Sequence, residues 1–349
     1  MHTFDYSFLQ SGLVPVKFLT LTAKISEIRA LQADRLSRFP DIFPGLELQA
    51  KVASVRDSNA IEGVKTTEAR LTVIVTQGAE PRNRNEAEIA GYRDALNLIH
   101  TQYRVLTFSE ETILALHKIL FSYTGYPGGS YKQDDNVIVQ VNPQGQRSIR
   151  FKPISAAETP QAMQDLVLAY TQARDDATTN QLLLISNFIL DFLCIHPFSD
   201  GNGRISRLLT LLLLYKSGFD AGKYVSMEQK IEQTKNSYYS SLKTSSEGWE
   251  VNQNDALPFA EYFITTLFLC YKDLDAFFVS FRDQKVNKTQ RIETAVLNSL
   301  LPISKRELAR LLPDVSVTTI ETVLGKLVRE DKITKIGQGP LTQYLRKSE

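Results

Sequence analysis

The sequence predicts a mainly α protein that carries one β-hairpin and ends in a winged helix-turn-helix. Three observations support this fold class. Apolar residues recur at helical spacing over most of the chain. The helical pattern fails over residues 125–153, where β-branched residues and a turn sequence appear. From about residue 286 the pattern reads helix, helix, turn, helix and then two short strands.

The N-terminal third reads as a series of helices. Residues 14–39 carry apolar residues at helical spacing, and the prolines and glycine of FPDIFPGLE interrupt the pattern. A second helix is predicted over 46–63, because Gly63 is a typical residue for a helix end. Residues 85–104 and 109–124 predict two more helices.

The β-hairpin is predicted from two short strand-like stretches. VIVQV (137–141) favours the first strand and SIRF (148–151) the returning one. NPQG (142–145) lies between them and has the composition of a turn.

Two segments beyond the hairpin predict the centre of a helical bundle. Residues 182–195 and 204–217 are apolar on nearly all sides, as helices in the middle of a bundle usually are. HPFSDGNGRISR (196–207) connects them. Because a buried loop leaves backbone polar groups without water, we expect this connection to face a pocket.

Charge and composition limit the class of protein. The 349 residues include 40 Lys and Arg against 39 Asp and Glu, a net charge of +1. This balance argues against binding of nucleic acid or membrane by the whole surface. Cys194 and Cys270 lie in apolar runs, which favours buried thiols in a reducing compartment. No signal-peptide pattern is present, and no apolar run reaches the roughly 20 residues of a membrane span, so we expect a cytoplasmic protein without membrane contact.

The connecting segment combines an anion site with two positive side chains. Gly201, Asn202 and Gly203 can turn their backbone N–H groups toward one point, and a helix begins directly afterwards. The positive end of that helix favours an anion. Arg204 and Arg207 are three residues apart and are therefore neighbours on the helix, which suits a polyphosphate.

Two further side chains complete the set that phosphoryl or nucleotidyl transfer requires. Asp200 can hold Mg²⁺, which binds one or two carboxylates together with substrate phosphates. His196 can act as general base toward an incoming hydroxyl. Neither a Walker P-loop nor the kinase signature set is present, so the common nucleotide-binding folds are not favoured.

The same segment resembles the signature of the Fic family. HPFSDGNGRISR (196–207) matches H-P-F-x-[DE]-G-N-G-R-x-x-R at every specified position. The resemblance implies a Fic-type helical bundle in which the β-hairpin is a flap. It also implies a protein adenylyltransferase that binds ATP with Mg²⁺ and transfers AMP to a Ser, Thr or Tyr hydroxyl of a target protein.

The resemblance also implies roles for individual residues. His196 is implied as the base and Asp200 as the ligand of Mg²⁺. TKNSYYSSL (234–242) resembles a downstream element of the family and implies Tyr239 near the adenosine, although paired aromatic residues on a helix also serve as core packing. Contact with the nucleotide is implied for Gly201, Asn202, Gly203, Arg204, Ile205, Ser206 and Arg207.

A second motif resembles the inhibitory pattern of Fic proteins that are regulated from an N-terminal helix. SNAIEG (58–63) matches [ST]-x-x-x-E-[GN] and places Ser58 and Glu62 one helical turn apart. The resemblance implies that Glu62 pairs with Arg207 and misplaces the γ-phosphate. It also leaves open a reverse reaction, in which Glu62 activates water to remove AMP from a modified target.

The expected partner is a target protein. The hairpin falls where the family carries its flap, and residues 138–142 are the expected edge for docking a target segment by strand addition. Self-modification and a homodimer through the N-terminal helices are both compatible with the sequence. Some relatives transfer UMP, phosphocholine or phosphate with a similar loop, but the complete G-N-G-R-x-x-R pattern here favours AMP.

Three domains are predicted. Residues 1–105 form a helical region that carries the inhibitory helix at about 46–63. Residues 106–285 form the Fic catalytic core, and residues 286–349 form the winged-helix domain.

The C-terminal region supports an alternative function. Residues 285–349 contain 12 Lys and Arg against seven Asp and Glu, and SVTTIETVLGKLVRE (316–330) is the predicted recognition helix. The alternative is a DNA-binding regulator whose Fic region senses nucleotide or binds a partner. Winged helices also contact proteins, so DNA contact stays open.

Overall fold

The structure of the protein is a computed structural model. It describes residues 2–11, 14–40, 42–141, 147–282, 288–297, 299, 302–312, 314–337, 339 and 342–347. Helices dominate, as the sequence predicts. Within these residues, none of the helices combines the length and the apolar character that crossing a membrane requires.

The helices follow one another in three groups along the chain. The N-terminal group is α1 (Phe8–Ser11), α2 (Val16–Ala30), α3 (Gln32–Arg38), α4 (Phe43–Ile61), α5 (Glu68–Gln77), α6 (Arg84–Gln102) and α7 (Glu110–Leu120). The central group is α8 (Thr159–Arg174), α9 (Gln181–Ile195), α10 (Asn202–Lys216), α11 (Met227–Gln233), α12 (Lys235–Ser246) and α13 (Leu257–Arg282). The C-terminal group is α14 (Lys288–Leu297), α15 (Lys305–Leu311) and α16 (Val317–Arg329).

The predicted hairpin is confirmed by two antiparallel strands. They are β1 (Ile138–Val141) and β2 (Arg147–Phe151), and a bulge follows the first pair, Ile138 with Phe151. The predicted turn, 142–145, and with it the end of the expected docking edge, lies outside the described residues.

The C-terminal region combines its three helices with a small antiparallel sheet. Its strands β3 (Ile303–Ser304), β4 (Ile333–Ile336) and β5 (Gln343–Arg346) are arranged in the order β3-β5-β4. The sequence predicts the last two strands but not β3, which is two residues long and precedes α15 directly. The assignment as a winged helix stays a prediction.

The N-terminal helices differ from the prediction in two places. The predicted helix over 14–39 is divided into α2 and α3 at Leu31. The N–H of Leu31 still bonds back to the end of α2, and the sequence has no proline or glycine at this position that would indicate the break. The sequence prediction also lacks α5. Thr67 caps its start through its side chain and Gly78 ends it in the left-handed conformation, but the β-branched residues inside the helix obscure these signals.

Helix α4 begins earlier than predicted, at Phe43 instead of residue 46. Pro44 lies in its first turn, where the missing N–H has no helical partner to lose, so the proline starts the helix rather than interrupting it. The helix ends at Ile61, and Glu62 occupies the capping position. The carboxylate of Glu62 therefore projects from the very end of the helix.

The prediction of two central buried helices is confirmed. Every α9 residue from 182 to 195 except Leu193 is buried, and α10 is buried from 204 to 215. Residues of α4, α6 and α13 pack around them in a continuous apolar core, for example Val55, Leu96 and Phe263. This core runs across position 105–106, where the sequence predicts a domain boundary.

A second apolar cluster joins the C-terminal helices to the start of α4. Phe43 stacks on Phe278 of α13 with ring centroids 5.2 Å apart. Buried residues of α14, α15 and α16, including Ile292, Leu308 and Ile320, complete the cluster. Helix α4 therefore has its first turn in this cluster and most of its length in the main core.

Candidate functional site

His196 follows the last turn of α9 and lines a cavity beside α10. Its N–H donates to the carbonyl of Phe192 at 3.0 Å, and its Nδ1 lies 3.3 Å from the carbonyl of Leu193. Because a carbonyl can only accept, Nδ1 carries the proton and Nε2 is the basic nitrogen. Burial lowers the pKa of His196 to about 4, so the imidazole is neutral near pH 7 and can accept a proton.

The loop after His196 is stabilised by a second histidine that the sequence analysis missed. His117 of α7 stacks on Phe198 with centroids 3.7 Å apart. Its Nδ1 accepts from the N–H of Gly129 at 2.8 Å, so its Nε2 donates to the carbonyl of Asp200 at 3.1 Å. His117 lies 81 and 83 positions before Phe198 and Asp200, and no local pattern in the sequence links them.

Acidification is expected to destabilise the protein between pH 7.5 and 5. Burial lowers the pKa of both His117 and His196 to about 4 from an ordinary value of 6.5. The unfolded chain therefore binds protons that the folded chain does not, and the free energy of unfolding falls as the pH drops. Each histidine contributes about 2 kcal/mol to this fall. Urea unfolding at several pH values measures it.

The control for this prediction is His117→Phe, which keeps an aromatic ring on Phe198 but does not titrate. We expect this variant to lose about half of the pH dependence, whatever its stability at pH 7.5. An unchanged dependence would contradict a neutral, buried His117.

The Gly-Asn-Gly turn is held by the side chain of Asn202. The Asn202 amide accepts from the N–H of Phe198 at 2.9 Å and donates to the carbonyl of the same residue at 2.7 Å. Gly201 has a φ of +84°, and a Cβ there would lie 2.9 Å from the Phe121 ring. Glycine is therefore required at 201 for both conformation and space.

The first turn of α10 carries a carboxylate on its surface. A Cβ at Gly203 would lie 2.2 Å from Glu62 Oε1, so the carboxylate rests directly against the backbone of this turn. The free N–H groups and the positive dipole at a helix start attract an anion. Glu62 therefore lies beside the helix start at which the sequence predicts an anion site.

Arg207 is hydrogen-bonded to residues at the end of α4. Its Nη2 donates to Glu62 Oε1 at 2.8 Å and to the carbonyl of Ser58 at 2.9 Å, and its Nε donates to Ser58 Oγ at 2.8 Å. Burial raises the pKa of Glu62, but the charge and hydrogen bond of Arg207 outweigh it, so the pKa lies below its ordinary value. The pair that the inhibitory motif implies is thus present as a charged contact.

Arg204, unlike Arg207, contacts α6 and is not part of the cavity wall. It is 1 % exposed, and its Nη1 donates to Glu88 of α6 at 2.5 Å. Its guanidinium also lies over the Phe121 ring at 5.4 Å. Ile205 and Ser206 are fully buried, and the cavity wall includes neither of them nor Arg204. Their contact with a nucleotide stays a prediction, whereas Arg204 has a visible role in holding α10 to α6.

Asp200 is the exposed carboxylate of the loop, with 47 % of its side chain accessible. Its Oδ1 accepts from the N–H of Gly201 at 2.6 Å and lies 3.5 Å from Arg204 Nη2. Among the residues that the structure describes, no group of three or more His, Cys, Asp or Glu side chains could hold a metal ion. A single exposed carboxylate fits Mg²⁺ only if phosphates supply further ligands.

The cavity has a volume of about 600 Å³, which is the size of a small-molecule site. Its wall combines charged and polar side chains with apolar ones. Its lining includes Glu62, Ile138, Val139, Arg150, Phe151, Leu190, Leu193, Cys194, His196, Gly203, Arg207, Asn236, Tyr238, Tyr239, Ser240, Leu242, Lys243 and Ser246. The structure thus brings the hairpin, the motif, Glu62 and the predicted Tyr239 to one cavity.

Arg150 of β2 is a wall residue that the sequence analysis missed. Its Nη2 donates to the carbonyl of Tyr239 at 3.0 Å, and its guanidinium lies 5.6 Å from the centre of that ring. The contact attaches the hairpin to α12. Arginine is common on exposed strands, so the sequence alone gave no reason to single it out.

Comparisons with known proteins find several Fic-related matches. The model of the Fic/DOC family matches residues 107–214. Protein adenylyltransferase fic-1 of Caenorhabditis elegans is 31 % identical over 117 residues, covering 32 % of this chain and 20 % of the worm protein. A Fido domain-containing protein of Dictyostelium discoideum is 39 % identical over 57 residues, covering 16 % of this chain and 40 % of that protein. The chain thus spans between a fifth and two fifths of these relatives.

A solved structure extends the fold similarity to nearly the whole chain. The crystal structure of a Fic family protein from Desulfovibrio desulfuricans G20 superposes with a TM-score of 0.61 at 20 % identity, covering 97 % of this chain and 98 % of that one. The expected Fic-type helical fold is confirmed. The signature segment 196–207 lies inside the range 107–214 that matches the model of the Fic/DOC family.

Proposed function

We propose that this chain is an auto-inhibited protein adenylyltransferase that transfers AMP from ATP to a hydroxyl group of a protein. The observation that carries the proposal is the position of Glu62, which pairs with Arg207 and rests on the first turn of α10 beside His196. The family and the similarity to an adenylyltransferase support transfer of the Fic type.

The proposed reaction uses His196 as the base. Its Nε2 takes the proton from a Ser, Thr or Tyr hydroxyl of the target, whose oxygen then bonds to the α-phosphorus of ATP. The bond from that phosphorus to the bridging oxygen breaks, and pyrophosphate leaves. The low pKa of His196 supports this role because the imidazole is unprotonated before the reaction.

The α10 start and Arg207 would hold the phosphates. The N–H groups of the turn at Gly201, Asn202 and Gly203 form the anion site, and Arg207 supplies the positive charge. Mg²⁺, held by Asp200 together with the phosphates, would neutralise part of their charge. Apolar side chains of the cavity wall, such as Phe151 and Leu193, would contact the nucleobase.

Inhibition would result from competition between two anions. Glu62 and a γ-phosphate cannot both lie against Gly203 and pair with Arg207. Lys235 of α12 strengthens the inhibited arrangement, because its Nζ donates to the carbonyl of Ile61 at 2.5 Å and caps the end of α4. Bound ATP would therefore lack the geometry for transfer while α4 stays in place.

The partner is proposed to be a target protein that docks on the hairpin. Val139 of β1 and Ile149 of β2 are 45 % and 66 % exposed, an apolar pair of the kind that a target segment can cover. Self-modification and a homodimer remain compatible with the proposal.

The product distinguishes this proposal from transfer of other groups. The Glu62→Gly chain, incubated with ATP and Mg²⁺ alone or with cell lysate, is expected to give a protein carrying AMP on a Ser, Thr or Tyr side chain. Mass spectrometry of the modified peptide identifies the adduct. A parallel incubation with UTP is the control, and a phosphate or UMP adduct in place of AMP would contradict the proposal.

The alternative function as a DNA-binding regulator gains no specific support from the structure. Several basic side chains of the C-terminal region pair with acids there, including Arg291 with Asp314 and Lys305 with Glu321. Lys326 on α16 lies 3.2 Å from Glu293. Local pairing reduces the positive field that binding to phosphates requires.

A further inference from the structure

The backbone at His196 has an unusual conformation. Its φ of 51° and ψ of 59° lie in the left-handed region, which is unfavourable for a residue other than glycine. Such a conformation persists only if neighbouring groups hold it. The conformation matters because it ends α9 at Ile195 and places His196 in the wall of the cavity.

Lys132 holds this turn from outside the cavity. Its backbone N–H donates to the carbonyl of Pro197 at 2.9 Å, and its Nζ donates to the carbonyl of Ile195 at 3.1 Å. The ammonium therefore lies at the C-terminal end of α9, where the helix dipole favours a positive charge.

Asn136 holds the two carbonyls that Lys132 does not reach. Its Nδ2 lies 3.4 Å from the carbonyl of His196 and 3.1 Å from that of Phe198. Its Oδ1 accepts from Lys132 Nζ at 3.0 Å, which fixes the two side chains together. All four carbonyls from 195 to 198 thus accept hydrogen bonds from the segment that precedes the hairpin.

A buried lysine in this position is costly for stability. Lys132 is 2 % exposed, and the acceptors of its Nζ are a carbonyl and an amide oxygen rather than a carboxylate. Burial lowers its pKa to about 8, although Asp135 opposes the shift. Because a buried charge without an ionic partner destabilises a fold, an apolar residue would serve packing alone at least as well.

We propose that Lys132 and Asn136 are positioning residues that hold the His196 turn, so that Nε2 faces the cavity. The proposal deepens the proposed adenylyltransferase function and rests on it for its effect on rate. Neither side chain is part of the described cavity wall, so both act through His196 rather than on the nucleotide. Their removal should weaken transfer without weakening ATP binding.

The test compares four variants in the full-length Glu62→Gly chain. Lys132→Met removes the ammonium, Asn136→Ala removes the amide without changing the charge, and Lys132→Arg keeps a cationic donor. Lys152→Met is the matched control, because Lys152 is an exposed lysine that directly follows β2. Transfer is followed with ATP labelled at its α-phosphate, and ATP affinity by titration.

We expect kcat to fall about 30-fold in Lys132→Met and Asn136→Ala, with the Kd for ATP changed less than about threefold. Lys132→Arg should recover most of the rate, and Lys152→Met should match its parent. A parallel loss of kcat, ATP affinity and thermal stability in both variants would instead indicate a merely structural role and would overturn the proposal.

A second measurement does not depend on transfer. NMR titration of the His196 ring should show its pKa rising from about 4 toward 6.5 in Asn136→Ala and Lys132→Met, because a released imidazole reaches water. The charged groups around the ring are Lys132, Glu62 and Asp200, and Asn136→Ala alters none of them. An unchanged His196 pKa in Asn136→Ala would overturn the positioning proposal, whereas absence of transfer in the Glu62→Gly parent would refute the proposed function alone.

Discussion

Replacing Glu62 with glycine is expected to raise the rate of AMP transfer by about 10- to 100-fold. The change removes the carboxylate from Arg207 and clears the backbone of Gly203. The guanidinium is then buried without its ionic partner, a state that costs about 3–5 kcal/mol and that the triphosphate relieves. Transfer from labelled ATP to protein measures the rate, and calorimetric titration measures ATP affinity.

Two variants serve as controls for Glu62→Gly. Glu247→Gly makes the same substitution at the exposed capping residue of another helix, α12, and should leave transfer unchanged. Ser58→Ala should raise transfer less than Glu62→Gly, because Arg207 keeps its bonds to Glu62 and to the Ser58 carbonyl. A Glu62→Gly protein that binds ATP but transfers AMP no faster than the parent would refute auto-inhibition by this pair.

The unsubstituted chain and the Glu62→Gly chain together also test the reverse reaction. If Glu62 activates water, the unsubstituted chain should release AMP from a modified target, and Glu62→Gly should not. Inhibition without the reverse reaction predicts no release by either protein.

Replacing His196 with alanine in the Glu62→Gly chain is expected to lower transfer by about 10²- to 10⁴-fold, the usual contribution of a general base. The half-buried, neutral imidazole with its Nδ1 proton directed at Leu193 leaves Nε2 as the acceptor. Since Arg207 and the start of α10 are unaffected, ATP affinity should stay within about threefold. Single-turnover transfer and nucleotide titration separate the two effects.

His2→Gln is the matched histidine control. His2 packs on Trp249, and the cavity beside α10 does not include it among the described residues. This variant should transfer AMP at the rate of its parent. Transfer by His196→Ala at a rate close to that of Glu62→Gly would rule out His196 as the base.

The sequence was informative where the chemistry lies in adjacent residues. The turn at Gly201, the helix that follows it and the position of Glu62 at a helix end could all be inferred from local patterns. The length of α4 was predicted to within three residues at either end, because Gly63 marks its end clearly. The proline at 44 was harder to interpret, since it is equally common before a helix and in its first turn.

Contacts between distant segments were beyond sequence reasoning. Arg204 was expected on the phosphates, but its closest partner is Glu88, 116 positions earlier. His117 and Lys132 likewise contact the motif from other parts of the chain. Each of these side chains is ordinary in its local sequence, and only tertiary packing makes it part of the site.

Helix α4 packs in both apolar clusters, and this has a consequence for experiments that truncate the protein. Phe43 in the first turn of α4 belongs to the same apolar cluster as side chains from beyond residue 288. A protein that ends near residue 285 would therefore lack part of the cluster in which the helix that bears Glu62 begins. Loss of this part of the cluster is itself expected to loosen α4. A rise in activity after such a truncation would therefore not show that residues 286–349 act as a separate inhibitory domain. Point substitutions in the intact polypeptide are the cleaner route to its chemistry.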